Sequence, residues 1–426
     1  MDINQLYTIY TLHPSVQTDT RKLMPGDLFF ALKGPSFNGN EYSKKALEMG
    51  ASYCIVDEQI GVHNDKTILV TDALETLQQL AKKHREQFTI PFIAVTGSNG
   101  QTTTKELIHS VLSTTYKTYT TEGNLNNHIG VPLTILKIKR DAEIAIIEMG
   151  ANHQKEIASY CAYTKPTHGL ITNCGKAHLE GFGGEEGVKK GKGELFDYLR
   201  EHHGTAFVYW DYDYLRNMSV GINQIKYGTN PAEVDIAGDV ENDSELLKVK
   251  ITKGTDIQTI QTNLVGGYNL HNVLAAVCIG KTFKVSEEKI KMALEEYFPS
   301  NSRSQLIHVN NNSIILDAYN ANPSSMKVAI ENFANMPGKD KVLMLGGMME
   351  LGNDTTLEHA NLIKLIDQYN WLYVVLVGDY FKDIANNYMH FNTSSEAKDW
   401  FKKTPLSNVQ VLIKGSRSFQ MEKVVD

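Results

Sequence analysis

The stretch that decides the fold is residues 93–107, which read Ile93-Ala94-Val95-Thr96-Gly97-Ser98-Asn99-Gly100-Gln101-Thr102-Thr103-Thr104-Lys105-Glu106-Leu107. An apolar run with β character leads into two glycines three residues apart, and a helical pattern follows. The glycines let the backbone turn tightly with its N–H groups pointing inward, and the positive end of the helix dipole faces the same concavity. The stretch therefore predicts a strand, a phosphate-binding loop and a helix.

The residues predicted to contact nucleotide phosphates are those of the loop and the first turn of its helix: Gly97, Ser98, Asn99, Gly100, Gln101, Thr102 and Thr103. The hydroxyls of Thr102 and Thr103 stand where a hydroxyl completes the shell of a phosphate-bound magnesium ion. Gln101 occupies the position at which the P-loop pattern has lysine, so the loop keeps its backbone cradle and lacks the usual cation. The alternative is a glycine-rich turn that binds nothing.

Composition narrows the possible functions of the chain. At 426 residues it is too long for one ordinary core and predicts two or three domains. A formal charge of −7 without a basic tract argues against a nucleic-acid partner. No signal-like start and no apolar run of about 18 residues occur, so a cytoplasmic protein without membrane insertion is expected. The four cysteines are widely spaced, which favours buried thiols over zinc or disulfides.

Residues 1–88 alternate short apolar runs with helical stretches and predict a small α/β domain. Two polar turns stand out within it, at residues 18–21 and 34–40. Their hydroxyls, arginine and amides could hold a nucleotide base or a diphosphate, and ordinary solvated turns explain them as well. Pro91 follows a polar stretch and marks a boundary.

From residue 92 onward strands and helices alternate, which predicts a parallel sheet whose ligands gather at the carboxyl ends of its strands. Glu148 directly follows one apolar strand, and His178 lies shortly after the next. A loop at 122–130 is dense in amides and contains Asn124, Asn126 and Asn127. A carboxylate and an imidazole near a phosphate loop suit a divalent metal that bridges phosphate oxygens.

The rest of the chain predicts three further features. Residues 191–196 predict the start of a helix, and the alternative to a functional role for Lys192 is a solvated lysine at that helix start. Alternating apolar and polar residues over 235–260 indicate antiparallel strands on the central domain. The last segment has apolar runs that start at residues 313, 342, 374 and 411, and helical patterns separate them, which predicts an open Rossmann-like sheet. The predicted domains are residues 1–88, 89–303 and 304–426.

Four stretches carry a resemblance to a known family: Glu122–Pro132, Asp317–Met326, Leu345–Gly352 and Lys414–Val424. From Thr18 onward the chain resembles the Mur ligases of peptidoglycan synthesis, and in particular the branch that joins D-alanyl-D-alanine to UDP-N-acetylmuramoyl-tripeptide. The resemblance implies ATP-dependent amide formation through an acyl phosphate, with Mg²⁺ as a second cofactor. It also implies a monomer with three α/β domains: a small N-terminal UDP-substrate domain, a central P-loop ATPase-type parallel-sheet domain and a C-terminal Rossmann-like ligase domain.

The resemblance also implies roles for single residues. Thr102 and Glu148 would hold magnesium on the ATP phosphates, and His178 would bind a second ion. Lys192 matches a lysine that is carbamylated in the family, and with His178 and Glu148 it forms the expected catalytic set. Asn269 and Asn272 would meet the adenine, and Arg303 and Asp317 the phosphate and ribose. The expected substrate-binding residues are Thr20 and Arg21 for the uridine diphosphate end, with Asn124, Asn126, Asn127, Asn320 and Asn322.

The chain departs from the family pattern at Gln101, where lysine is usual, and at Gly347, where aspartate is usual. A cation lost from the transferring phosphate costs transition-state stabilisation, so the chain is either a weakened or inactive nucleotide-binding relative, or Lys105 or Lys176 compensates. A related ligase with another substrate, such as a folylpolyglutamate or muramyl-tripeptide synthetase, is a further alternative. The stretches of the N-terminal and last domains that resemble the D-alanyl-D-alanine-adding branch weigh against it.

Overall fold

The computed structural model describes residues 1–241, 245–300, 302–338, 340–384 and 386–426, and these form two compact units. The first unit contains Met1–Ala94, Tyr116–Ala151 and Lys155–Gly169. The second contains Val95–Thr115, Asn152–Gln154 and Leu170–Asp426. The predicted domain boundaries at residues 88 and 303 stay predictions.

The described residues form fourteen α-helices. They are α1 (Ile3–Leu12), α2 (Ser43–Glu48), α3 (Ala73–Arg85), α4 (Gln101–Ser113), α5 (Gly130–Leu136), α6 (Glu156–Thr164), α7 (Leu179–Phe182), α8 (Glu185–Glu201), α9 (Asp213–Met218), α10 (Leu270–Thr282), α11 (Glu287–Glu296), α12 (Pro323–Asn335), α13 (Thr355–Ile366) and α14 (Ser394–Lys403).

The same residues form 21 strands. They are β1 (Val16–Gln17), β2 (Leu28–Phe30), β3 (Lys33–Gly34), β4 (Phe37–Asn38), β5 (Tyr53–Val56), β6 (Thr67–Leu69), β7 (Phe92–Thr96), β8 (Thr118–Thr120), β9 (Ile144–Glu148), β10 (His168–Ile171), β11 (Thr205–Tyr209), β12 (Asn223–Gly228), β13 (Ile236–Val240), β14 (Leu246–Lys253), β15 (Thr259–Val265), β16 (Gln305–Val309), β17 (Asn312–Asp317), β18 (Lys341–Gly346), β19 (Tyr373–Val377), β20 (Met389–Phe391) and β21 (Gln410–Lys414).

The first unit begins with a parallel sheet in the order β1-β2-β5-β6. Every residue of β2 is buried, and Phe29, Ala31, Cys54 and Val56 are in one apolar cluster beneath the sheet. Asp72 caps α3, and Lys82, Lys83 and Arg85 in the last turn of that helix complement its dipole. The predicted small α/β unit is confirmed. Later in this unit β8 and β9 pair in parallel.

Two strands start in the first unit and end in the second, namely β7 and β10. All five residues of β7 are buried, as its unbroken apolar sequence requires of a strand covered on both faces. The loops that follow β7 and β10 both belong to the second unit. They carry the predicted phosphate loop and His178.

The second unit continues with neighbouring strands β11 to β15. β11, β12 and β13 run parallel, whereas β13, β14 and β15 are antiparallel. The antiparallel excursion predicted for residues 235–260 is therefore confirmed; residues 242–244 of that stretch lie outside the described residues. α10, almost wholly buried, packs against both α4 and these strands.

The last sheet has the order β16-β17-β21-β18-β19-β20. Only its edge strand β16 is antiparallel to its neighbour among the described strands, so the predicted open Rossmann-like layout is confirmed. Its core contains Ile314, Val342, Val375 and Val411. The glycines at the strand ends leave room for one aromatic ring: a Cβ atom at Gly378 would lie closer than 3.0 Å to Phe419, and one at Gly347 would lie 2.9 Å from it.

No helix in the described ranges is long and apolar enough to cross a membrane. Cys54, Cys161 and Cys278 are buried free thiols, as expected, and Cys174 is half-buried and free.

Candidate functional site

The predicted phosphate loop connects β7 to α4 and requires both of its glycines. Gly97 has φ +155° and Gly100 has φ +76°. A Cβ atom at Gly97 would lie closer than 3.0 Å to the Thr172 hydroxyl, and one at Gly100 would lie 2.9 Å from Oδ1 of Asn272. The backbone conformation and the crowding both exclude a side chain at these two positions.

The segment after β10 holds this loop in shape. The N–H of Ser98 donates to the Asn173 carbonyl at 2.9 Å, and the Thr172 hydroxyl donates to the Asn99 carbonyl at 2.7 Å. The Asn173 carboxamide both donates to the Asn99 carbonyl and accepts from the Asn99 N–H. The Ser98 hydroxyl donates to the Gly175 carbonyl at 2.9 Å. Five hydrogen bonds thus fix two loop residues before any ligand binds.

The first turn of α4 completes the cradle. The N–H of Thr104 makes a bond back to the Gly100 carbonyl, so the N–H groups of residues 101–103 precede the helical ladder and remain directed at the loop. Thr102 is buried, whereas Thr103 is half-buried. The Thr104 hydroxyl donates to Oδ1 of Asn272 at 2.7 Å, so this side chain has a structural role. The predicted strand, loop and helix are confirmed, and the arrangement suits an anion.

Gln101 begins α4, and its Oε1 atom is buried without a hydrogen-bond partner in the described structure. The two lysines proposed as substitutes have carboxylate neighbours. Lys105 is buried, with Nζ 3.7 Å from Glu106. Lys176 pairs with Glu358 at 2.8 Å and with Glu185 at 3.4 Å, and the bond from Glu358 raises the pKa of Lys176.

His178 lies in the left-handed region and precedes α7. Its Nδ1 atom is paired with the carboxylate of Glu350, and this hydrogen bond lowers the pKa of Glu350. Glu350 lies within the Leu345–Gly352 stretch, so one of the stretches that carry the family resemblance contacts His178. No group of three or more His, Cys, Asp or Glu side chains that could hold a metal occurs among the described residues.

Lys192 was expected near a helix start, and that expectation is wrong. α8 begins at Glu185, because Gly191 and Gly193 do not interrupt it, and Lys192 therefore lies in mid-helix. Its side chain is 2% exposed and lies over the Phe182 ring at 5.5 Å. Lys192 is therefore not a solvated lysine. The carbamylation of Lys192 stays a prediction.

The predicted adenine residues are buried and hydrogen-bonded to the protein. Asn272 Nδ2 donates to the Asn269 side chain at 2.8 Å, and Asn269 Nδ2 donates to the Val265 carbonyl. The side chain that lies between them in the sequence, His271, has an Nε2 atom that is buried and unpartnered in the described structure, and burial lowers the pKa of His271 to about 4. Sequence reasoning missed this histidine, although its place in the motif offered the signal.

Arg303 contacts a residue that is close in sequence to Asp317, and Asp317 contacts the residue that follows Arg303. The Arg303 guanidinium stacks on the Tyr319 ring at 3.6 Å. The carboxylate of Asp317 accepts from the Ser304 N–H at 3.1 Å and from Lys414 Nζ at 2.6 Å. Sequence reasoning missed Tyr319 and Lys414, although both lie within the family-like stretches.

Asn320 and Asn322 were assigned to the substrate. The Oδ1 atom of Asn320 accepts from the next backbone N–H. Asn322 caps α12 through a capping box with Ser325, and its Nδ2 atom donates to Oδ1 of Asn99 at 2.7 Å. The structure therefore brings a residue of the last segment into the phosphate loop.

The remaining expected residues lie in the first unit. Glu148 is fully buried, and its Oε1 atom accepts from Asn126 at 2.8 Å, so the amide-rich loop contacts the end of β9. Asn127 accepts from the N–H groups of Ile129 and Gly130, and Asn124 is exposed.

The two turns of the N-terminal sheet are also in this unit. Thr20 is buried, whereas Arg21 is exposed and its bidentate pairing holds the pKa of Asp19 at about 2. The turn at 34–40 contains β4, which pairs antiparallel with β3, and its fully buried Asn40 bonds to Asp57. Asn40 therefore has a structural role within the turn.

The chain is similar to known proteins along most of its length. Three Mur ligase family models match the chain: the family's catalytic domain at residues 14–85, its middle domain at 95–280 and its glutamate ligase domain at 302–417. The UDP-N-acetylmuramoyl-tripeptide–D-alanyl-D-alanine ligase of Bacillus subtilis (strain 168) is 34% identical over 99% of this chain and 94% of its own.

Two solved structures are also similar. MurF from Acinetobacter baumannii superposes with a TM-score of 0.87 at 30% identity, over 96% of this chain and 92% of its own. MurF ligase from Thermotoga maritima in complex with ADP gives 0.86 at 26% identity, over 97% and 96%. These matches span all three predicted domains, and the three-domain α/β architecture is that of these enzymes. The chain belongs to the Mur ligase family, in its MurF branch.

Proposed function

We propose that the chain joins D-alanyl-D-alanine to UDP-N-acetylmuramoyl-tripeptide with cleavage of ATP to ADP and phosphate. The observation that carries the proposal is the preformed loop at residues 97–103, which is braced by Asn173 and bonded to Asn322 of a family-specific stretch. An anion-binding cradle tied to the ligase-specific segment is what an ATP-driven ligase requires.

The reaction has two steps. A terminal carboxylate oxygen of the tripeptide attacks the γ-phosphorus of ATP, and ADP leaves with the electrons of the broken P–O bond. The amine of the dipeptide then attacks the acyl carbon, loses a proton and expels inorganic phosphate. The residues of the chain hold the reactants in line and stabilise their charge, because several negative groups must meet. The backbone N–H groups of residues 101–103 stabilise the transferring phosphate.

We assign the substrate positions by the resemblance. Thr20 and Arg21 hold the uridine diphosphate end, and Asn124, Asn126, Asn127, Asn320 and Asn322 contact the remainder of the substrates. Asn269 and Asn272 orient the adenine side of the nucleotide, while Arg303 and Asp317 face its phosphate and ribose. The exposure of the Arg21 side chain to solvent supports its role in binding the uridine diphosphate end. The hydrogen bonds of Asn269 and Asn272 within the protein hold both side chains in place at the adenine site.

By the resemblance, Thr102 and Glu148 are each assigned to magnesium, and each has a buried oxygen donor of a kind that suits a hard cation. His178 would hold a second ion, and its neighbour Glu350 adds an oxygen donor. The ammonium of Lys192 does not fit such a site, whereas its carbamate does. When bound, the ions screen the phosphate oxygens.

A second candidate function has support from one observation. Gln101 supplies no charge, and both Lys105 and Lys176 already have carboxylate neighbours. A ligase with reduced turnover, or a nucleotide-binding relative without turnover, follows if no other cation replaces the loop lysine. We propose a monomeric cytoplasmic protein in either case.

The deciding experiment measures phosphate release with UDP-N-acetylmuramoyl-tripeptide, D-alanyl-D-alanine, ATP and Mg²⁺, and omits each component in turn. We expect release only with all four and a product heavier than the UDP substrate by one dipeptide less one water. Binding of ATP without any release would support the non-catalytic relative. Release that does not depend on the dipeptide would refute the proposed acceptor.

A further inference from the structure

Two guanidinium groups share one aromatic ring in the last segment of the chain. The Cζ atom of Arg303 lies 3.6 Å from the centroid of Tyr319, and that of Arg417 lies 5.6 Å from it. The two Cζ atoms are therefore no farther apart than about 9 Å, the sum of these distances. Like charges held so near one ring repel, and an anion placed beside them removes the repulsion.

The two arginines differ in their solvent exposure and in the partners that they have within the protein. Arg303 has a buried Nε atom with no partner in the described structure. Arg417 is 65% exposed, and its ion pair with Glu422, at 3.5 Å, is long. Lys414, the third cation nearby, is buried and bonded to Asp317 at 2.6 Å. Arg417 is thus the cation of this group that solvent and a ligand can reach.

The position of Arg417 is fixed by the residues beside it. Ser416 donates to the Ala321 carbonyl at 3.1 Å and accepts from the Met349 N–H at 3.0 Å. Phe419 occupies the notch left by Gly347 and Gly378. The short 3₁₀ helix that carries Arg417 is therefore anchored at both ends, directly after β21 and at the carboxyl edge of the sheet. Ligands of open α/β sheets gather at such an edge.

The surroundings favour a small apolar molecule that ends in a carboxylate. Met349 and Tyr380 are 39% and 38% exposed, and the Tyr380 hydroxyl contacts the Met349 sulfur at 3.3 Å. Ser416, which precedes Arg417, accepts a hydrogen bond from the Met349 backbone, so this apolar rim lies beside the segment that carries Arg417. Methyl groups suit the rim, and a guanidinium fork suits a carboxylate.

We propose that Arg417 binds the terminal carboxylate of the dipeptide acceptor and so selects for it, with Tyr319 as the platform on which the guanidinium rests. This inference rests on the proposed function, because it names how that reaction recognises its second substrate. A nucleotide phosphate is the competing anion for the same charge.

The test compares D-alanyl-D-alanine with its C-terminal amide, in which the charge is removed and the shape is kept. A lost charged hydrogen bond lowers kcat/KM of the unmodified enzyme for the amide by about 10- to 100-fold. In Arg417→Gln we expect the acid and the amide to be used equally well, with the KM for ATP unchanged. Arg417→Lys keeps the charge without the fork and should fall between the two. Lys402→Gln, an exposed charge on α14, is the matched control.

Each outcome has a definite meaning. If Arg417→Gln keeps the preference of the unmodified enzyme for the acid, or if the unmodified enzyme shows no such preference, the inference is overturned. If the KM for ATP rises instead, Arg417 serves a phosphate. If the unmodified enzyme releases no phosphate on addition of dipeptide, the proposed function itself fails. Thermal unfolding of both Arg417 variants verifies that they fold.

Discussion

The carboxamide of Asn322 donates a 2.7 Å hydrogen bond to the carboxamide of Asn99, joining the phosphate loop to a residue 223 positions later. Asn322 also caps α12. We expect Asn322→Ser to keep the cap and lose the bridge, since serine caps well but is shorter. ADP affinity should fall about fivefold, which corresponds to about 1 kcal/mol for one hydrogen bond. Calorimetric titration measures this; Asn322→Ala, which loses both roles, should also unfold at lower temperature.

Gln101→Lys should raise kcat more than it lowers the KM for ATP. A cation on the γ-phosphate acts mainly as charge redistributes in the transition state. The Oε1 atom of Gln101 is buried and makes no hydrogen bond in the described structure, so the substitution breaks none at that atom. Steady-state kinetics of the variant beside Gln101→Ala tests this. An unchanged kcat in the lysine variant would mean that another residue already supplies the charge.

Lys192→Ala should lose most activity, because a carbamate there would provide oxygen ligands that alanine lacks. The 2% exposure of Lys192 explains how a carbamate would be shielded from water. Short-chain carboxylates in the buffer should partly restore activity in the alanine variant. Independently of activity, ¹³C-bicarbonate should give a carbamate NMR signal in the unmodified protein and none in the variant. Its absence from both would leave Lys192 a plain ammonium.

Gly347→Asp restores the residue usual in the family, and we expect it to destabilise this chain. A Cβ atom at this position would lie 2.8 Å from Tyr380 and 2.9 Å from Phe419. Overpacking of this kind costs about 1–3 kcal/mol in the free energy of unfolding. Urea denaturation should show that Phe419→Ala and Gly347→Asp together cost less than the sum of the two single changes. Strict additivity would argue that the ring does not cause the clash.

Stability of the first unit should decline as the pH falls below about 6.5. Burial lowers the pKa of His84 from its ordinary value of 6.5, with the charge of Arg140 acting in the same direction. Nε2 bonds to the Ile138 carbonyl at 2.7 Å, so it carries the proton, and Nδ1 accepts from the Tyr7 hydroxyl. The unfolded chain binds a proton that the folded chain resists. Urea midpoints of His84→Gln should vary less between pH 5 and 7.5 than those of the unmodified protein.

Local patterns predicted most of the fold. The apolar run into Gly97 and Gly100 identified β7, the loop and α4, because each signal is contained within a few residues. The antiparallel strands and the last open sheet followed from the same kind of periodicity. The start of α8 was misplaced because Gly191 and Gly193 suggest a break, and only packing of the helix against its neighbours overrides their low helix propensity.

The site was harder to predict than the fold, because its contacts join distant positions. Nothing near Asn99 in the sequence points to Asn173 or Asn322, and nothing near His178 points to Glu350. The pairing of Arg303 and Arg417 on Tyr319 likewise depends on where β17 and β21 lie side by side. Residue types indicated the chemistry, and only the packed chain shows which of them meet.

The hydrogen bond between Asn99 and Asn322 can form only late in the synthesis of the chain. A nascent polypeptide leaves the ribosome from its N-terminus, so the glycine loop emerges long before the residue that braces it from the last segment. Until roughly three quarters of the chain has been made, Asn322 cannot stabilise the phosphate loop for nucleotide binding. A partial product, or one cut before residue 322, therefore lacks this hydrogen bond to the phosphate loop.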